Sequence, residues 1–214
     1  MSRQNTTVWE SLEEWTPRLF LLAGVILIVA SANYAITVLL DSVTFNSWVG
    51  LTVVIGRWVS LLGVAGLSVG IVKRSPRAGR LSRVVVSLAV LFTTGLLVTA
   101  ILSNAGVTTP LSAIFGLGTI LLSIVTYAMF GIGILRTDAY STLIGALLLV
   151  MTIGLLWGFI GQIALAEGPG TMLGIIGTTA EAILFATNLA IGYRLGTELE
   201  SRDRAEPASD AAPE

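Results

Sequence analysis

Two charged side chains stand where few are tolerated. Arg57 interrupts the apolar run VVIGRWVSLLG (53–63), and Glu181 interrupts the apolar stretch after Gly170. A guanidinium stays charged at any physiological pH. A charge at mid-bilayer costs about 2.5–3.5 kcal/mol on insertion scales. Arg57 lies 11 residues past Asn46, and Glu181 lies 11 past Gly170. At 1.5 Å per residue both heads sit roughly 16 Å from the same ends of their helices. Matching depth and opposite sign predict that they pair, since a guanidinium fits a carboxylate. Such a pair has two uses: a strut that holds helix register, or a site for a proton or a small anion.

Spacing indicates the faces on which the pair is carried. Gly170, Gly174, Gly177, Glu181, Asn188 and Gly192 recur at helical intervals and form one stripe. Gly56, Ser60, Gly63 and Gly70 form a small-residue face with Arg57 at its flank. Small residues let helices approach closely in lipid, so packing these two faces together brings Arg57 to Glu181. Asn33 and Gln162 are expected to complete the candidate polar site with Asn188.

Other chemistries are excluded by what is missing. The chain has no Cys and no His, which removes disulfides, thiolate nucleophiles, histidine metal ligands and His-held haem. Its one lysine, Lys73, ends an apolar run, so no lysine at mid-membrane depth could form a retinal Schiff base. Glu13-Glu14-x-x-x-Arg18 matches the string of CAAX-type intramembrane proteases. Those enzymes also need histidine, and here the string precedes the first span. Asp41 and Asp138 fall at opposite membrane faces, so they make no aspartyl dyad. No cofactor, no metal site and no catalytic constellation is expected.

The elements that position the polar residues are apolar helices. Of 214 residues, 54% are hydrophobic and 12% charged, against about 25% charged in a typical soluble domain. The reading is all-α, an integral membrane bundle of six transmembrane helices: Leu19–Leu40, Trp48–Val72, Val84–Leu102, Leu111–Leu135, Thr142–Ala166 and Thr171–Leu195. Each run is long enough to cross roughly 30 Å of hydrocarbon. Residues 1–18 read as an interfacial amphipathic segment. There Thr7 and Glu10 form a capping box, Val8, Leu12 and Trp15 share one face, and Pro17 makes the break. Residues 19–196 are the transmembrane domain, and residues 197–214 a disordered acidic tail.

Every basic residue but Arg57 falls on one side of this arrangement: Arg3, Arg18, Lys73, Arg74, Arg77, Arg80, Arg83, Arg136, Arg194, Arg202 and Arg204. The positive-inside rule makes that side cytoplasmic, with both termini inside and the protein in the plasma membrane. The basic segment KRSPRAGRLSR is a topology determinant, and Lys73, Arg74, Arg77, Arg80 and Arg83 could also meet anionic lipid headgroups. No nucleic-acid partner is expected. A repeat is also visible. Gly24 precedes Asn33 by 9 residues, Gly95 precedes Asn104 by 9 and Gly154 precedes Gln162 by 8, suggesting three equivalent hairpins.

Three roles fit this inventory. One is a non-enzymatic accessory, structural or sensing membrane protein, favoured by the lack of catalytic groups. The alternative is a small solute or ion transporter or channel built on Arg57 and Glu181. A lipid-acting enzyme is least supported, because acid–base and metal groups are scarce.

Overall fold

A computed structural model describes residues 8–39, 47–107, 109–164 and 170–205. Over these residues the chain is all-helical: α1 (Val8–Leu39), α2 (Ser47–Arg74), α3 (Pro76–Asn104), α4 (Leu111–Thr137), α5 (Thr142–Ala164) and α6 (Gly170–Ala205). Each contains a stretch long and apolar enough to cross a bilayer. Helices are the only open-ended solution there, because lipid leaves no partner for unpaired backbone groups. Each helix packs on the next, and α6 packs on α1, which closes a ring. Within it α2 is the most buried helix and also reaches α4. Lys73, Arg74, Arg77, Arg80 and Arg136 thus gather at one end of the bundle, here the basic end.

Three boundaries differ from the sequence reading. First, Pro17 does not end the N-terminal segment: α1 runs through it as one helix. The lost proline N–H is tolerated because neighbours grip both sides of this turn. A Cβ on Gly66 of α2 would lie 1.9 Å from Thr16 Oγ1, and one on Gly192 of α6 would lie 2.8 Å from the Pro17 carbonyl. Trp9 and Leu12 pack on the core and Thr16 is buried, whereas Val8 and Trp15 are 76% and 54% exposed. The segment therefore docks in the ring by its Trp9/Leu12/Thr16 face and leaves Val8 and Trp15 outward. Thr7, the expected cap, lies outside the described residues.

Second, KRSPRAGRLSR is hardly a loop. Only Ser75 separates α2 from α3, with Pro76 opening α3, where its missing N–H costs nothing. Arg77, Arg80 and Arg83 consequently ride on the first turns of α3. Third, the expected disordered tail is helical as far as Ala205. Glu198 and Glu200 stand four residues before Arg202 and Arg204, the favourable orientation for such pairs. Residues 206–214 lie outside the described residues.

The three proposed hairpins are not equivalent in packing. Gly95 receives Phe115 from its hairpin partner, and Gly154 receives Ile183 from its own, but Gly24 receives Leu189 of α6, across the ring closure. The centre of the interior toward the basic end is largely apolar. Leu61, Val64, Leu67, Phe130, Ile134, Leu148 and Met151 are all fully buried there. At the basic end Glu13 accepts from Lys73 Nζ (3.4 Å) and from the Tyr140 hydroxyl (3.1 Å), tying α1 to α2 and to the α4–α5 turn. The Arg83 guanidinium lies 4.8 Å over the Trp9 ring, and its Nε donates to Ser68 Oγ.

Candidate functional site

The backbones of α2 and α6 do not pack closely as the sequence reading expected, and their stripes meet only through side chains, Ser60 on Asn188 and Arg57 on Glu181. Three of their glycines receive α1 instead. Gly56 takes Leu27, Gly63 takes Phe20 and Gly192 takes Leu21. The reason is geometric: α1 precedes α2 in the chain by a short connection and the ring closes on α6, so α1 fills the groove between them. Arg57 and Glu181 meet all the same, because two long side chains reach across a gap that two backbones do not close. Arg57 Nη2 donates to Glu181 Oε1.

That gap is a cavity of about 130 Å³. Gly50, Val53 and Arg57 line it from α2, Ile120 from α4, Leu155, Gly158 and Phe159 from α5, and Gly177, Ala180 and Glu181 from α6. It lies in the half of the bundle opposite the basic end, among the first turns of α2 and α6 and the last turns of α5. The side chain of Arg57 is 23% exposed and that of Glu181 only 5%. Glu181 Oε2 has no hydrogen-bond partner. Gly154, Gly158 and Gly161 hold α5 tightly on α6, taking Ile183, Ala180 and Ile176, so this wall of the cavity is well packed. The Gly154–Gly158 pattern thus serves contact within the chain.

Deeper in, a relay of hydrogen bonds closes the interior. Tyr127 on α4 donates to Ser60 Oγ at 2.8 Å, Ser60 donates to Asn188 Oδ1 at 2.8 Å, and Asn188 donates to the Leu184 carbonyl at 2.7 Å. Arg57, Ser60, Ser123, Tyr127 and Asn188 share a second cavity of about 10 Å³, near the minimum that admits one water. Thr119, Ser123 and Thr126 bury hydroxyls without a hydrogen-bond partner along the inner face of α4. The polar strip thus runs from the larger cavity to mid-bundle, where Leu61, Val64 and Leu67 separate it from a cavity of about 10 Å³ at the basic end lined by Glu13, Thr16, Tyr140 and Glu198.

Of the residues expected at the site, Arg57, Glu181 and Asn188 come together, Asn188 being fully buried. Asn33 does not join them. It is exposed, and its amide donates to the Val29 carbonyl at 2.9 Å, one turn back on its own helix. Gln162 belongs to α5, but its side chain lies outside the described residues. The sequence reading missed Tyr127 and the α4 hydroxyls. Their signal was present: Thr119, Ser123 and Thr126 repeat at intervals of 4 and 3, and a tyrosine inside an apolar helix usually finds a polar partner. Among the described residues no three acidic side chains cluster as metal ligands would. The site therefore offers an ion pair, hydroxyls and small apolar walls, suited to holding a polar guest. No family model, curated protein or solved structure matches this chain.

Proposed function

We propose that the protein is a non-enzymatic integral membrane protein that binds, and carries or senses, a small polar solute at Arg57 and Glu181. One observation carries the reading: the ion pair borders a cavity of about 130 Å³ and is not sealed in packed side chains. A strut alone needs no such space. An intramembrane ionisable pair beside a cavity is the usual signature of a solute or ion path. Packed apolar side chains at Leu61, Val64 and Leu67 separate this cavity from the small one at the basic end lined by Glu13 and Glu198, an arrangement that suits one state of a transporter or a sensor. The second reading, a structural pair that fixes register in an accessory protein, is favoured by the buried Tyr127–Ser60–Asn188 relay beneath it.

In this proposal the basic end faces the cytoplasm of a plasma-membrane protein, and the cavity faces outward. The absence of Cys allows single-cysteine labelling without background. With a membrane-impermeant thiol reagent applied outside, Val53→Cys, in the cavity wall, is expected to react. Val64→Cys, in the dry core, and Arg80→Cys, at the basic end, should not. A Val53→Cys variant as inert as Val64→Cys would remove the solute-site reading, and outside labelling of Arg80→Cys would invert the topology.

The exposed cations Lys73, Arg74, Arg77 and Arg80 are proposed to meet anionic lipid headgroups, each worth about 1 kcal/mol near a charged surface. Arg83 leaves this group, since it is half-buried against Trp9 and Ser68. An Arg77→Gln/Arg80→Gln variant is expected to retain less phosphatidylglycerol on native mass spectrometry than the parent does. Equal retention would remove the headgroup proposal.

A further inference from the structure

We infer that the guest of the Arg57–Glu181 cavity is a small zwitterion of the α-amino-acid class, such as glycine or alanine. This rests on the solute-site reading above and names its substrate class. The argument starts from charge. The cavity already holds one cation and one anion in contact. A lone anion entering would face Arg57 but leave the buried carboxylate of Glu181 as a second negative charge. A lone cation would face the mirror problem at Arg57. In a poorly solvated interior an uncompensated charge is strongly unfavourable. A zwitterion keeps the site neutral, with its carboxylate against the guanidinium and its ammonium against the carboxylate.

Geometry agrees with charge. The two protein charges are one hydrogen bond apart, and an α-amino acid carries both of its charged groups on the same carbon, so the two dipoles can lie antiparallel. Glu181 lines the cavity, and its Oε2 is buried with no hydrogen-bond partner. It is an acceptor that an ammonium would satisfy. Size sets the upper limit. At about 130 Å³ the space is slightly smaller than the roughly 150 Å³ engineered cavity that accepts benzene, so a side chain of one or two carbons fits and an aromatic one does not. Val53 and Leu155 supply apolar contact for a methyl group.

The test is binding by the whole protein in nanodiscs, by isothermal titration calorimetry at neutral pH, with glycine, L-alanine, L-phenylalanine, propionate and ethylamine as probes. Saturable binding of glycine or alanine is expected, with phenylalanine, propionate and ethylamine weaker by at least tenfold, equivalent to about 1.4 kcal/mol. Gly50→Phe, placed where a Cβ meets nothing within 4 Å, should leave the fold intact and weaken alanine binding by a similar factor. Propionate binding as tightly as alanine would overturn the zwitterion and leave a solute site. No binding of any probe while Val53→Cys still reacts from outside would also overturn the zwitterion alone. No binding together with an inert Val53→Cys would overturn the solute site itself.

Discussion

Arg57→Ala is expected to lose most of the folded protein, and Arg57→Leu combined with Glu181→Leu to recover much of it. The single change leaves the Glu181 carboxylate 95% buried by side chain with no cation beside it, given its 5% exposure. Breaking one side of a buried pair costs about 3–5 kcal/mol, whereas replacing both partners by apolar residues is often neutral. Against a total stability of about 5–15 kcal/mol for an ordinary domain, the single change removes a large fraction. Thermal unfolding of the purified variants in one detergent, followed by fluorescence-detected size exclusion, provides the comparison. The decisive result is the ordering: a single variant that melts with the parent, or a double variant no better than the single, would show that the two charges do not depend on each other.

Gly66→Ala is expected to be the most damaging alanine substitution on the α1–α2 contact. Its Cβ would fall 1.9 Å from Thr16 Oγ1, 2.5 Å from the Leu12 carbonyl oxygen and 2.9 Å from the Leu12 carbonyl carbon. The hydroxyl can rotate away, but the backbone of α1 cannot. It is held on its other side by Gly192 of α6 against the Pro17 carbonyl. Overpacking of this kind costs about 1–3 kcal/mol, and with backbone involved the upper part of that range applies. Gly133→Ala is the matched control, since the nearest atom to its Cβ would be Ile71 Cδ1 at 3.4 Å. There helix propensity alone should act, worth up to about 1 kcal/mol in favour of alanine. The melting points of the two variants should therefore move in opposite directions. A Gly66→Ala protein at or above the parent would mean that α1 does not sit in that groove.

The same turn of α1 explains why residues 8–18 misled the sequence reading. Pro17 in isolation is a helix stop, and that rule is local. In the bundle, Thr16 and Pro17 are clamped between two glycines 126 positions apart in the chain, Gly66 and Gly192. No window of sequence contains that information. The segment Thr197–Ala205 went the other way: its polar, acidic composition reads as disorder, but its Glu-to-Arg spacing of four residues was legible as helix.

The sequence by itself determined the class of molecule, the six apolar helices and the pairing of Arg57 with Glu181. These follow from one-dimensional quantities: apolar run length against bilayer thickness, and the depth of each charge along its own helix. What only the tertiary structure decided is which helix fills each glycine groove and what is left unfilled. The glycines of α2 and α6 looked made for each other, yet Gly56, Gly63 and Gly192 all receive α1. The ion pair therefore spans a gap instead of a tight contact, and the gap is the cavity. Small residues specify that something approaches closely, but not what. That choice depends on ring closure between α1 and α6, the first and last helices, and so on contacts that no local pattern encodes.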